Sequence, residues 1–86
     1  MSETRETRLK RLRFRSWHRG MREVDLLLGG FADRHLTELD PAQLERYEQL
    51  LGAADPELYD WIARRTAAPA AYECDVLNLI RNFINS

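Results

Sequence analysis

A single cysteine, Cys74, serves the whole chain of 86 residues, which excludes an internal disulfide, a paired-cysteine redox motif and a cysteine zinc cluster. Its simplest reading is a small side chain on a helix. No apolar run approaches the roughly 20 residues that cross a bilayer, and the basic N-terminus carries neither the apolar segment nor the cleavage site of a secretory signal. The expected location is the cytosol of a bacterium, or the mitochondrial matrix in a eukaryote, without membrane insertion. β-Branched residues are sparse and nowhere alternate with polar ones, so strands are not expected. The two histidines, His18 and His35, are far apart in a sequence without an HExxH pattern, which argues against a metal site. Of only four glycines, the adjacent Gly29 and Gly30 sit inside a helical pattern and not after a strand, so no phosphate loop is present. Acidic pairs such as Asp55 with Glu57 and Glu45 with Glu48 read as helix capping and solvated faces. No catalytic constellation remains, and the expectation is a non-enzyme that holds no cofactor stably.

What the chain does contain is charge, unevenly placed. Residues 1–22 carry eight Arg or Lys against two Glu, a net of +6, whereas residues 23–86 carry five basic against twelve acidic residues, a net of −7. Such asymmetry suits a basic end offered to an acidic partner, or a helix lying across the acidic remainder of its own fold.

Helical periodicity runs throughout. A first helix is predicted from about Glu6 to Trp17, with Leu9, Leu12 and Ser16 on one stripe and arginines elsewhere. A second follows from Met21, with Met21, Val24, Leu28, Phe31, His35 and Leu36 at three-and-four spacing. Gly29 and Gly30 interrupt it at about 1 kcal/mol each against alanine, which predicts either a kink or close packing. Asp40, Pro41 and Gln43 spell a third start: an N-cap carboxylate, a proline in the first turn and a capping-box glutamine. The stripe behind it is Leu44, Tyr47, Leu50 and Leu51, ending near Gly52. Asp55-Pro56-Glu57 repeats the start signal for a fourth helix burying Leu58, Ile62 and either Tyr59 or Trp61, with Arg64 and Arg65 near the negative end of its dipole. Residues 66–71 read as a linker. The fifth helix carries Tyr72, Val76, Leu79, Ile80 and Phe83 on one face, with Leu77 and Ile84 beside it. Short connections favour packed neighbours, so the expected fold is all-α, a compact five-helix bundle forming one domain over residues 1–86, with residues 1–5 disordered and 84–86 frayed.

The basic first helix, with Phe14 and Trp17 among its arginines, offers one functional reading: a small nucleic-acid-binding or regulatory protein that tracks phosphates. A sequence pI near 6 and the lack of any helix-turn-helix, zinc or RNA-binding motif count against it. The other reading starts at Gly20, between Arg19 and Met21. A glycine there either bends the chain between two helices beside an ordinary Arg-Glu pair, or admits the close approach of a partner, with Arg19 and Glu23 spaced four apart to share a face.

Arg19-Gly20-Met21-Arg22-Glu23 resembles the RGxxE signature of the succinate dehydrogenase flavinylation factors. The stretches RLRFRSWH, DLLLGGFADRHL, QLERYEQLL, DPELYDWI and VLNLIRNF are similar to that family in the same order, so the resemblance covers nearly all of residues 8–84. Val24 stands where leucine is common, and the Gly29-Gly30 pair is a departure. The resemblance implies a five-helix bundle and a non-enzymatic assembly factor. Such a factor binds the flavoprotein subunit of succinate dehydrogenase, and in bacteria often that of fumarate reductase, and promotes covalent attachment of FAD to a histidine of that subunit. It places Arg19, Gly20 and Glu23 at the centre of the contact surface, with Arg22 at a variable position as a further candidate. Arg13, Arg15 and His18 complete the expected contact set, the arginines adding electrostatic attraction. FAD belongs to the partner, nucleic acid is not an expected ligand, and the free factor is expected to be a monomer.

Overall fold

The computed structural model describes residues 3–84. Among them are five α-helices and no strand: α1 Arg5–Trp17, α2 Arg22–His35, α3 Pro41–Leu51, α4 Asp55–Ile62 and α5 Asp75–Ile84, with a single 3-10 turn at Leu36–Glu38. The fold class is therefore all-α, and the five helices are those expected. They fall into two compact units, residues 1–38 and 39–86.

The first unit is an antiparallel helical hairpin. Thr4, in extended backbone, caps α1 by accepting a hydrogen bond from the Thr7 N–H at 3.1 Å, which satisfies one of the orphan donors of the first turn. Met1 and Ser2, and Asn85 and Ser86 of the end expected to fray, lie outside the described residues. Within the segment expected to be disordered, Thr4 caps the helix and Glu3 receives Arg11 at 2.6 Å, so α1 begins one residue earlier than its periodicity indicated. Leu12 and Ser16 are fully buried, four residues apart, and the Ser16 hydroxyl donates to the Leu12 carbonyl at 2.7 Å, which satisfies that buried hydroxyl. On α2 the buried set is Val24, Leu28, Gly29, Phe31 and Ala32, followed by Leu36 in the 3-10 turn. The three-and-four spacing read from the sequence holds there. Three cross-links fix the hairpin's register: Arg5 donates to the Thr37 carbonyl at 3.0 Å, Arg13 pairs with Asp33 at 3.5 Å, and the Trp17 ring lies on Gly29. Any Cβ at Gly29 would overlap the indole. Of the two alternatives for the glycine pair, close packing is the one observed, and α2 runs through it unbroken.

In the second unit the capping box of α3 forms as expected. The Gln43 N–H donates to Asp40 Oδ1 at 2.8 Å, while Gln43 Oε1 accepts from the Asp40 N–H at 3.0 Å. The same glutamine reaches α5 by donating from Nε2 to Asp75 Oδ2 at 3.1 Å, beside a two-pronged contact from Arg46 to the Asp75 carboxylate at 2.8 and 3.2 Å. Arg46, and after it Gln43, hold the Asp75 carboxyl below the usual carboxylate range. The start of α4 differs in register from the expectation. Asp55 is already helical, Ala54 is the N-cap, and no side chain caps the end, so Asp55 and Glu57 act as first-turn charges against the helix dipole. Leu58, Trp61 and Ile62 are buried, which settles the choice between Tyr59 and Trp61.

The end of α4 forms a Schellman motif with Arg64 in the left-handed position, φ 60°. The Arg65 N–H donates to the Asp60 carbonyl at 2.8 Å and the Arg64 N–H to the Trp61 carbonyl at 3.2 Å. The Arg65 side chain lies over the Tyr59 ring at 5.3 Å. For α5 the expected face needs correction. The helix begins at Asp75, so Tyr72 precedes it and instead meets the Trp61 ring at 5.0 Å. Cys74, expected on a helix, also lies just before it and is half-buried. The buried face is Val76, Leu77, Ile80 and Arg81, while Leu79 is 41% exposed. Arg81 displaces Leu79 from the interior because its guanidinium is fully engaged there. Nε donates to the Trp61 carbonyl at 3.0 Å, and Nη1 donates to Glu73 at 2.7 Å and to Asn78 at 2.9 Å. Arg81 in turn holds the Glu73 carboxyl below its ordinary range.

Candidate partner-binding site

The turn between α1 and α2 is built by three local devices. His18 ends α1 as its C-cap, with its backbone N–H on the Arg15 carbonyl and its ring Nδ1 2.7 Å from the Phe14 carbonyl. The ring also stacks on that of Phe14, centroids 4.0 Å apart and planes 18° from parallel. Next, the Arg19 N–H donates to Asp25 Oδ1 at 2.7 Å, so a carboxylate in the first turns of α2 reaches back over the junction. Finally, Gly20 adopts φ +103°, a backbone conformation open to glycine and costly to any residue with a Cβ. Met21, in extended backbone, then starts α2.

These devices set where the expected contact residues lie. Arg19, half-buried, and exposed Gly20 belong to the junction and not to a helix, so the four-residue spacing to Glu23 does not place Arg19 and Glu23 on a shared helical face. Arg22 and Glu23 open α2 as its first two residues, both exposed. Glu23 there meets the positive end of the helix dipole. Among the described residues no atom outside the immediate chain neighbours lies within 4 Å of the position a Gly20 Cβ would occupy, so none of them crowds that face. His18 is exposed at the near edge, and Arg15 is half-buried in the last turn of α1. Arg13 stands apart, because it is drawn towards Asp33 within the hairpin.

Much of the positive charge of α1 is answered internally. Lys10 pairs with Glu6 at 3.7 Å, Arg11 with Glu3, and Arg13 with Asp33. The excess therefore serves partly to hold this unit together, and these pairs weaken the case for a phosphate-tracking stripe. Sequence reading did not find the role of Asp25, whose signal is its position four residues into a helix that lacks a side-chain N-cap. Nor did it find the Phe14–His18 stack, detectable only as an i, i+4 aromatic pair off the apolar stripe.

Among the described residues no group of three His, Cys, Asp or Glu could hold a metal ion, and no helix is long and apolar enough to cross a membrane. Beside Cys74 is a pocket of about 130 Å³ lined by residues including Arg46, Leu50, Tyr72 and Glu73, remote in sequence from the junction.

Comparison with known proteins gives this geometry a context. The family model described as "Flavinator of succinate dehydrogenase" matches residues 10–84, a span that contains the junction and reaches all five helices. The chain is 40% identical over 73 residues to the mitochondrial succinate dehydrogenase assembly factor 2 of Dictyostelium discoideum, covering 85% of this chain and 52% of that protein. It is 47% identical over 62 residues to the protein of the same name from Meyerozyma guilliermondii, covering 72% and 46% respectively. The mitochondrial succinate dehydrogenase assembly factor 2-A of Drosophila mojavensis is 34% identical over 86 residues, covering 98% of this chain and 55% of its own length. The chain thus spans about half the length of the curated relatives it matches, and on the extent of these matches it belongs to the family of flavinators of succinate dehydrogenase.

Proposed function

We propose that this protein is a non-enzymatic assembly factor that binds the flavoprotein subunit of succinate dehydrogenase and promotes covalent attachment of FAD to a histidine of that subunit. Family membership supports the reading, and the observation that carries it to particular residues is the junction itself. An uncrowded glycine in a left-handed turn is followed at once by the exposed Arg22 and Glu23 at the start of a helix. The chemistry belongs to the flavin and the acceptor histidine, so the factor has no reacting group to supply and holds no FAD of its own. Its contribution is to favour the flavoprotein conformation in which histidine and flavin meet and stray water is excluded.

In this reading Gly20 lets the partner's surface come up to the backbone. Arg19, Arg22 and Glu23 make charged hydrogen bonds to it, and Arg15 and His18 border the contact. Arg13 adds to the local positive field while staying bound to Asp33. Release after the bond has formed requires moderate affinity. The flavoprotein of fumarate reductase is a second client where that enzyme exists, the free factor is a monomer, and the place of action is the mitochondrial matrix in a eukaryote or the cytoplasm in a bacterium.

The test is to mix the purified factor with apo-flavoprotein, FAD and a dicarboxylate, and to follow covalent flavin by in-gel fluorescence. The rate should rise with the factor present and fall back with Gly20→Arg. Equal rates with and without the wild-type factor would overturn the proposal.

A further inference from the structure

Three large apolar side chains are exposed among the described residues: Phe14 at 64%, Leu26 at 55% and Leu79. Two of the three flank the α1–α2 junction, Phe14 one helical turn before His18 and Leu26 three residues after Glu23. Phe14 projects from the side of α1 opposite Leu12 and Ser16, since two residues along a helix is a rotation of about 200°. That side is otherwise polar and charged, with Lys10 one turn before Phe14 and His18 one turn after. An isolated exposed apolar residue needs no explanation. Phe14 differs because its ring is backed by a second ring, the His18 imidazole, itself held by the Phe14 carbonyl.

The stack restricts the phenyl ring in advance. A side chain already ordered before binding loses less entropy when it is covered, and aromatic side chains are enriched among the residues that dominate interfaces. On the opposite side of the junction Leu26 shares the α2 face of Arg22 and Glu23, at spacings of four and three. Basic side chains border the apolar pair: Lys10, though paired with Glu6, is highly exposed, and Arg22 is exposed at the helix start. With Nδ1–H donating to the Phe14 carbonyl, His18 Nε2 has no partner among the described residues and is open to accept from a hydroxyl or an N–H group.

We infer that the stacked Phe14–His18 pair is a preformed aromatic anchor of the partner contact, received by an apolar recess with an acidic rim on the flavoprotein, with Leu26 as a lesser apolar contact beyond the junction. The inference rests on the function proposed above and adds to it the apolar part of the recognition surface. The anchor sets how long the complex lasts, and the surrounding basic residues set how fast it forms.

The experiment measures binding to the apo-flavoprotein subunit by titration, and covalent flavin by in-gel fluorescence, for Phe14→Ala, Phe14→Tyr, His18→Ala and Leu26→Ala. Circular dichroism melts of each variant accompany them. Phe14→Ala should weaken binding roughly tenfold or more and slow flavin attachment at limiting factor, with an unchanged melting temperature because the ring is not part of the core. His18→Ala should weaken binding roughly threefold to fivefold by freeing the ring, Leu26→Ala roughly threefold, and Phe14→Tyr should bind nearly as wild type. Wild-type binding by Phe14→Ala, with loss in Gly20→Arg, would overturn the anchor and leave the function standing. Equal losses in Phe14→Tyr and Phe14→Ala would also overturn it, because a tyrosine retains the stacking ring. A wild-type factor that neither binds nor accelerates would overturn the function and the anchor together.

Discussion

Among the described residues the backbone takes a positive φ at two joints, Gly20 after α1 and Arg64 after α4, and the two are built in opposite ways. At Arg64 the left-handed residue completes a helix C-terminus. Its own N–H and that of Arg65 close on the carbonyls of Trp61 and Asp60, Arg65 lies over Tyr59, and Arg81 supplies a further donor to the Trp61 carbonyl. Hydrogen bonds over-determine the turn, so the chain tolerates an arginine where glycine would be easier. At Gly20 the carboxylate of Asp25 holds the neighbouring Arg19 N–H, the space beside the residue is open, and φ is +103°. One joint is a closed structural corner, and the other presents its backbone outward. A positive φ by itself does not separate a structural glycine from a contact glycine; the surroundings do.

The comparison can be broken most severely at the closed corner. Arg81→Ala removes the guanidinium that ties the Trp61 carbonyl to Glu73 and Asn78, together with a buried aliphatic stem, and should cost about 3 kcal/mol with little direct effect on partner affinity. Denaturant melts of the variant set beside its binding at a temperature where it is folded check both halves. Next comes Gly29→Ala, which forces the Trp17 indole off α2 and should cost about 2 kcal/mol. Because Trp17 is the last residue of α1, this variant should also disturb the junction, so binding should fall further than the unfolded fraction explains.

The open joint itself responds in two currencies. Gly20→Ala and Gly20→Arg put the same Cβ on a left-handed backbone, so each should cost about 1–2 kcal/mol of stability. A gain with alanine would need a helical backbone at this position, and φ is +103°. Their binding should still differ, with alanine retaining part of the affinity and arginine losing nearly all of it, because bulk and charge then occupy the contact. Equal binding by the two variants, once corrected for folded fraction, would make Gly20 a bend and nothing more. A smaller effect of opposite sign is expected from Arg64→Gly, a gain of about 1 kcal/mol that raises the melting temperature by several degrees in a chain of this size.

Acid separates the two regions further. Glu73 and Asp75 have folded-state pKa values lowered chiefly by hydrogen bonds from Arg81 and from Arg46, so their contribution is complete above the unfolded carboxylate range, near pH 4, and is lost as the pH falls through their lower folded values. Stability should thus decline below about pH 4 in the wild type, and less steeply in Arg81→Ala. Melts from pH 6 to pH 2 would show this.

How far these features were legible in the sequence depends on the range of the interaction. Asp40 and Gln43 satisfy one another across three residues, and the sequence specified their cap in full. The similar Asp55-Pro56 start lies one register further into its helix, because Ala54 is the residue that adopts the extended backbone. On α5, periodicity favoured Leu79 over Arg81, since an arginine is buried only when distant groups satisfy it, here the Trp61 carbonyl and the Glu73 carboxylate. The glycine pair in α2 allowed a kink or close packing until Trp17, twelve residues earlier, could be placed against Gly29. At the junction the family resemblance singled out Arg19, Gly20 and Glu23, with Arg22 as a further candidate. It did not disclose that Arg19 lies off the helix, or that Arg13 is committed to Asp33.

The placement of the two tryptophans gives each compact unit its own optical reporter. Trp17 sits against Gly29 in residues 1–38, with its Nε1 donating to Asp33 at 3.3 Å, and Trp61 is buried beside Tyr72 in residues 39–86. Replacing one or the other by phenylalanine leaves a single indole whose emission follows one unit alone. Coincident transitions in the two variants would identify one cooperative folding event, and separated transitions would resolve two. The Trp17 reporter also stands one residue from His18 at the edge of the contact surface, so its emission should change when a partner docks, in a chain that needs no added label.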